Sequence, residues 1–166
     1  MASETALNFL PQDQLTLAYS QEAQELCRYR SLALCFLTFD TPISQLMNAI
    51  GIECEHRLNN LKEVAAQMAF DLPLNSSKLI DISAINQNSR HFFVVDENRG
   101  RQLLIDAEEA AKASSMIFSK LLKINAAPEL RQLLTTFVKQ KKSEYRVLKE
   151  CREQWKLALH DLGRAS

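Results

Sequence analysis

The chain has 166 residues, of which 46% are hydrophobic and 24% charged, a composition that predicts one globular domain with a buried core. Basic and acidic side chains number 20 each, so no overall field favours nucleic acid or an anionic membrane surface. No apolar run approaches the ~20 residues that span a bilayer, and the first residues lack a secretory signal. The four cysteines form no Cys-x-x-Cys pair, so we expect free thiols in the cytoplasm rather than a cysteine metal knuckle.

Helix signals are clear along the chain. Its three glycines and four prolines favour long regular helices over a turn-rich β fold. Hydrophobic residues recur with a period of about 3.6 residues, and prolines or capping side chains precede several of the periodic segments. The pattern predicts four helices, which cover about residues 12–37, 41–70, 97–124 and 128–162.

The connections between the helices predict how they pair. Short turns join the first helix to the second and the third to the fourth, so each pair should form an antiparallel αα-hairpin. Residues 71–95 instead mix polar turn formers with short apolar pieces, which indicates a long crossover between the hairpins. We therefore predict an all-α four-helix bundle with a crossover. An up-down-up-down bundle in which these residues form a surface loop is the alternative.

Charged side chains fall on helix faces that should be apolar. Glu22 lies near the centre of the apolar stripe of the first helix, and Lys141 and Glu144 lie inside that of the fourth. An ionised group that is buried alone costs several kcal/mol, unless it is paired or bound to a metal. We therefore expect these charges to meet in the middle of the bundle, within ion-pair distance of Lys141. We predict that Glu53 and Arg57 of the second helix join them.

Two short motifs carry a resemblance to a known family. Tyr29 follows Glu22 by seven residues, and Glu53-Cys-Glu-His56 supplies a Glu-x-x-His motif, whose first and last side chains share one helix face. The pattern resembles the ferritin-like and rubrerythrin-like superfamily, a four-helix bundle in which each hairpin supplies half of a di-iron site. The resemblance implies iron ligands at Glu22, Glu53, His56 and, by position on the fourth helix, Glu144.

The second hairpin departs from the family pattern. Ala111 stands where the third helix would carry a glutamate, and Lys141 stands where a ligand of the fourth helix is expected. An ammonium group at Lys141 can neutralise nearby carboxylates as a metal would, but it has no redox capacity. We therefore expect a degenerate di-iron site with no cofactor, or at most one iron held by the four implied ligands.

These observations favour one function and leave two alternatives open. The favoured one is a binding or interaction protein, whose partner is another protein or a second copy of the chain in a homodimer, with nucleic acid and membranes excluded. The first alternative is a rubrerythrin-like oxidoreductase that handles peroxide or oxygen at iron. The second is histidine phosphotransfer, since the segment from Glu55 to Leu61 resembles the phosphoacceptor box of sensor histidine kinases around His56. Sequence alone leaves open whether the bundle is catalytic.

Overall fold

A computed structural model describes residues 10–72 and 92–164 of the chain, without the side chains of residues 156–162. Four helices make up almost all of these ranges, and no strand occurs in them. They are α1 (Pro11–Phe36), α2 (Thr41–Gln67), α3 (Glu97–Ile124) and α4 (Pro128–Arg164). The predicted all-α class with four helices is therefore confirmed. The largest difference from the predicted bounds is at the end of α2, which stops at Gln67 rather than near residue 70.

Side-chain caps explain where α2 and α3 begin. The carboxylate of Asp40 accepts a hydrogen bond of 3.0 Å from the backbone N–H of Ile43, and Pro42 occupies the first turn of α2. The carboxylate of Asp96 caps α3 in the same way and accepts from the N–H of Arg99 at 2.8 Å. These bonds satisfy amide groups that have no partner within the helix, which fixes both helix starts.

The helices form two hairpins that pack against each other. α1 packs along α2 and α3 along α4, while α1 also contacts α3 and α2 also contacts α4. The backbone N–H of Val94 donates to the carbonyl of Cys35 at 2.9 Å, so α3 begins beside the end of α1. The last turns of α3 instead pack with the last turns of α2, where Leu121 and Ala65 share one apolar cluster. α2 and α3 therefore run parallel, which is the direction that a crossover between hairpins requires. Of the predicted crossover at 71–95, residues 73–91 lie outside the described residues.

The bundle interior consists of two apolar clusters, one towards each end. The first lies where α1 ends and α2 and α3 begin, and its largest members are Tyr29, Phe36, Met47, Leu104 and Leu148. The second lies at the opposite end and includes Leu15, Leu61, Phe118, Leu130 and Phe137. The buried side chains between the two clusters are mainly polar or charged. Over the described residues, no helix is long and apolar enough to cross a membrane.

Gly100 lies in the first turn of α3, where the helix packs against aromatic rings. A Cβ at this position would lie 2.8 Å from Cζ2 of Trp155 and 3.4 Å from Cε1 of Phe36, which is too close for the indole ring to stay in place. We expect Gly100→Ala to lower the free energy of unfolding by about 1–3 kcal/mol through overpacking, although alanine is the better helix former. Urea denaturation measures this effect.

Gly51 of α2 provides a matched control. A Cβ there would have ordinary van der Waals contacts, the nearest at 3.8 Å from Cβ of Tyr29. Gly51→Ala should therefore stabilise the protein by up to about 1 kcal/mol through helix propensity alone. A stabilising effect at both glycines would show that Trp155 yields without cost, and the packing argument would then be wrong.

Candidate functional site

The polar layer between the two apolar clusters contains five charged side chains, Glu22, Glu25, Arg57, Lys141 and Glu144, which we call the charge layer. Lys141 of α4 reaches across the bundle to α1. Its Nζ lies 2.8 Å from Oε2 of Glu22, and it donates a hydrogen bond to Oε2 of Glu25. The same Nζ lies 3.7 Å from Oε2 of Glu144, one turn further along α4. One ammonium group is therefore in ion-pair contact with three carboxylates.

Arg57 of α2 makes the second set of contacts in the charge layer. Its Nε donates to Oε1 of Glu22 at 2.6 Å, and its Nη2 donates to Oε1 of Glu144. Its Nη1 donates to Oε1 of Gln140 at 3.3 Å, and Nη2 also lies 3.4 Å from Sγ of Cys54. The guanidinium group thus links α1, α2 and α4, and Glu22 is the carboxylate that both cations share.

Burial makes these contacts energetically important. Glu22, Glu25, Arg57 and Lys141 are each at most 1% exposed, and Glu144 is 9% exposed. Three carboxylates face two cations, so the layer carries an excess of one negative charge when all five groups are ionised. Oε2 of Glu144 is buried and accepts no hydrogen bond. The two cations therefore offset two of the three negative charges, and Oε2 of Glu144 lies 3.7 Å from the ammonium nitrogen of Lys141.

The electrostatics of the layer follow from burial and from the partners. Burial opposes the charge on Lys141, but Glu22, Glu25 and Glu144 outweigh it and raise the pKa of the ammonium group. Burial likewise opposes the charge of Arg57, and again the neighbouring carboxylates raise its pKa. Both cations are therefore charged at neutral pH.

The uncharged neighbours respond differently. Burial raises the pKa of the Cys54 thiol, and the nearby carboxylate of Glu22 raises it further. Burial is also the main cause of the raised pKa of Tyr29, with Glu25 as the next contribution. Both groups are therefore protonated at neutral pH, so Cys54 is not an activated nucleophile.

Glu144 gives the layer a pH dependence that can be measured. Burial raises the pKa of its carboxyl group, although Lys141 and Arg57 act in the opposite direction. A carboxyl group whose pKa is higher in the folded state contributes stability below its unfolded pKa, and that contribution is lost as the pH rises through the folded value. We expect the free energy of unfolding to decline from mildly acidic towards neutral pH, and Glu144→Gln to flatten that decline.

Chemical denaturation at several pH values tests this. Glu153→Gln on the exposed side of α4 serves as the control, and an unchanged slope in Glu144→Gln would contradict the assignment.

The structure brings together four of the predicted site residues and separates two. Glu22, Arg57, Lys141 and Glu144 lie together, with Lys141 in ion-pair contact with Glu22. Glu53 and His56 are exposed, so Glu53 lies outside the charge layer.

The reason lies in which face α2 buries. Cys54, Arg57 and Leu58 are the buried residues of this part of the helix, so the positions of Glu53 and His56 fall outside that face. The four implied iron ligands consequently do not converge. Glu22 and Glu144 lie inside the bundle, whereas Glu53 and His56 lie on its surface.

Sequence reasoning missed Glu25, which is 1% exposed and pairs with Lys141. A signal was present, because Glu25 follows Glu22 by three residues and precedes Tyr29 by four, and such spacings place side chains on one helix face. Lys141 of α4 lies opposite this face of α1, so both of its carboxylates, Glu22 and Glu25, pair with the ammonium group.

One set of possible metal donors occurs among the described residues. Oxygen atoms of Glu22 and Glu25 and the sulfur of Cys54 lie within 4.8 Å of one another. The donor set does not fit a divalent ion, because the cations of Lys141 and Arg57 already contact the two carboxylates. Ala111, at the position where a glutamate of α3 is expected, is buried and offers no ligand.

A groove of about 450 Å³ opens between α2 and α4 beside the charge layer. Its apolar lining consists of Leu46, Ala49, Ile50 and Val147, and its polar lining includes Arg57, Gln140 and Glu144. A second depression of about 440 Å³ continues along the same two helices past Leu46 and Val147 towards Trp155. The seam between α2 and α4 is therefore open over much of its length.

Comparisons of the chain with protein-family models, with curated proteins and with solved structures gave no match.

Proposed function

We propose that the chain is a non-catalytic binding protein built on a ferritin-like bundle, in which two cations stand where that family holds its metals. The observation that carries the proposal is the position of Arg57 and Lys141 among the carboxylates of the layer. Each of these cations contacts at least two carboxylates. They compensate buried negative charge as a pair of metal ions would, but they have no oxidation states to exchange.

The same arrangement argues against the oxidoreductase alternative. A di-metal centre needs bridging carboxylates and ligands from all four helices. Among the described side chains, the buried carboxylates come from α1 and α4 only, while α2 contributes an arginine. The open groove between α2 and α4 instead offers a surface suited to binding.

Metal content tests the proposal directly. Elemental analysis of untagged protein, with and without Glu22→Ala, should find iron and manganese well below one equivalent per chain in both. Glu153→Ala is the matched control, since it removes an exposed carboxylate from the same molecule. Two equivalents of iron or manganese that are lost only in Glu22→Ala would overturn the proposal in favour of a di-metal oxidoreductase.

Histidine phosphotransfer is a second candidate, which the exposure of His56 on α2 supports. A phosphoryl acceptor must be accessible to its donor protein. A histidine buried in the bundle as a metal ligand would not be accessible. Incubation with labelled acetyl phosphate and a response regulator should label the protein on His56 if this candidate holds. Label that persists in His56→Gln, or no label at all, would eliminate it.

The proposal includes a compartment and an assembly. All four cysteines are free thiols, two of them buried, which supports the cytoplasm. The partner is another protein or a second copy of the chain. Light scattering across a range of concentrations distinguishes a homodimer from a monomer.

A further inference from the structure

The α2–α4 groove has the form of a small-molecule site. Its volume of about 450 Å³ falls within the range of ligand pockets in proteins. Leu46, Ala49, Ile50 and Val147 give it apolar walls, and polar groups of the charge layer meet it on one side. The exposed side chains of Glu53 and Lys139 also line it, and their opposite charges offset each other. Apolar walls with a few polar groups at one place suit a ligand that is itself apolar with one polar end.

The charge of that polar end follows from the charge layer. Arg57 and Glu144 both line the groove, but Arg57 is 1% exposed and its nitrogens already donate to Glu22, Glu144 and Gln140. Glu144 is the more exposed of the two, and its Oε2 accepts no hydrogen bond. The layer also has one carboxylate more than it has cations. Both observations point to a ligand that brings a positive charge and hydrogen-bond donors.

We propose that the α2–α4 groove binds a small amphipathic amine, with its ammonium group at Glu144 and its alkyl body between Leu46 and Val147. The ammonium group supplies the cation that the charge layer lacks and pairs with the carboxylate of Glu144, whose side chain is 10% exposed. A carboxylate ligand would add to the excess negative charge of the layer, and an alcohol would leave that excess as it is. This inference rests on the proposed function, because it names the ligand class of the binding protein.

Titration of the full chain with three probes of equal chain length tests the inference: octylammonium, octanol and octanoate. Octylammonium should shift the backbone amide resonances of Ala49, Ser143 and Val147 saturably. Octanol should bind about tenfold more weakly or worse, and octanoate should not bind. A tenfold difference in affinity corresponds to the contribution of one charge-assisted hydrogen bond.

Two variants locate the head and the body of the ligand. Glu144→Gln keeps the side-chain shape and should weaken octylammonium binding by about tenfold or more, whereas Glu153→Gln on the same helix should not change it. Ala49→Trp fills the groove from an exposed position, leaves every charge in place, and should abolish binding. If Glu144→Gln does not fold, as circular dichroism would show, Ala49→Trp and the comparison with octanol decide the question.

Three results would overturn the inference: equal affinity for octanol and octylammonium, stronger binding of octanoate, or no saturable shift with any probe. None of them bears on metal content. Two equivalents of metal that are lost in Glu22→Ala would overturn the proposed function whatever the amine does. Low metal content without amine binding would remove only the ligand class.

Discussion

Lys141→Ala should lower the free energy of unfolding by about 3–5 kcal/mol, because it leaves buried carboxylates without their cation. The Lys141 side chain is 1% exposed and its ammonium group contacts Glu22, Glu25 and Glu144, so its loss removes a positive charge from a site shielded from bulk water. Urea denaturation gives the effect, provided that the transition stays two-state. Lys141→Met, which keeps much of the side-chain volume, should lose nearly as much, since the charge rather than the packing is decisive.

Lys139 is the matched control for this prediction. It lies two residues away on the same helix and is exposed, so Lys139→Ala should change stability by no more than about 0.5 kcal/mol. Equal and small effects at both positions would place Lys141 in contact with solvent. The charge layer would then not exist as described.

The helices and four of the five residues of the charge layer were predictable from sequence for one physical reason. A lysine that follows Phe137 by four residues and precedes Leu148 by seven shares their helix face, and Phe137 and Leu148 are both 1% exposed or less. Helical periodicity therefore placed Lys141 in the core before any partner was known. The same argument placed Glu22, because Ala18 and Tyr29 fix the face of α1 on which it lies.

Residues at the edge of a stripe could not be assigned in this way. The position of Glu53 borders the buried face of α2, and whether it is covered depends on how closely α4 approaches. The groove keeps the two helices apart there, and Glu53 lines it as an exposed side chain. Periodicity describes one helix, whereas the distance between two helices depends on packing that the pattern does not contain. Glu25 differs from Glu53, because its spacing from Glu22 and Tyr29 places it on the buried face of α1, where Lys141 of α4 reaches it.

Arg57→Ala should also lower the free energy of unfolding by about 3–5 kcal/mol. Another arginine–glutamate pair between the same two helices provides the matched control. Arg57 pairs with Glu22 between α2 and α1, and Arg30 pairs with Glu55 between α1 and α2. The side chains of the first pair are at most 2% exposed, whereas those of Arg30 and Glu55 are 57% and 43% exposed. Arg30→Ala should therefore cost no more than about 1 kcal/mol, because water and salt compensate a surface pair.

Arg57→Lys separates the geometry of the guanidinium group from its charge. Lysine keeps the positive charge, but its donors all leave from one nitrogen, whereas the guanidinium group bonds Glu22, Glu144 and Gln140 from three separate nitrogens. We expect Arg57→Lys to be less stable than the wild type but more stable than Arg57→Ala. Urea denaturation at fixed pH and salt measures the three free energies of unfolding. Raising the salt concentration should reduce the loss of unfolding free energy caused by Arg30→Ala. The loss caused by Arg57→Ala should stay almost unchanged, because salt screens a buried ion pair far less than an exposed one. A cost for Arg57→Ala as small and as salt-dependent as that for Arg30→Ala would show that the layer is solvated, and its two cations could then not take the place of metals.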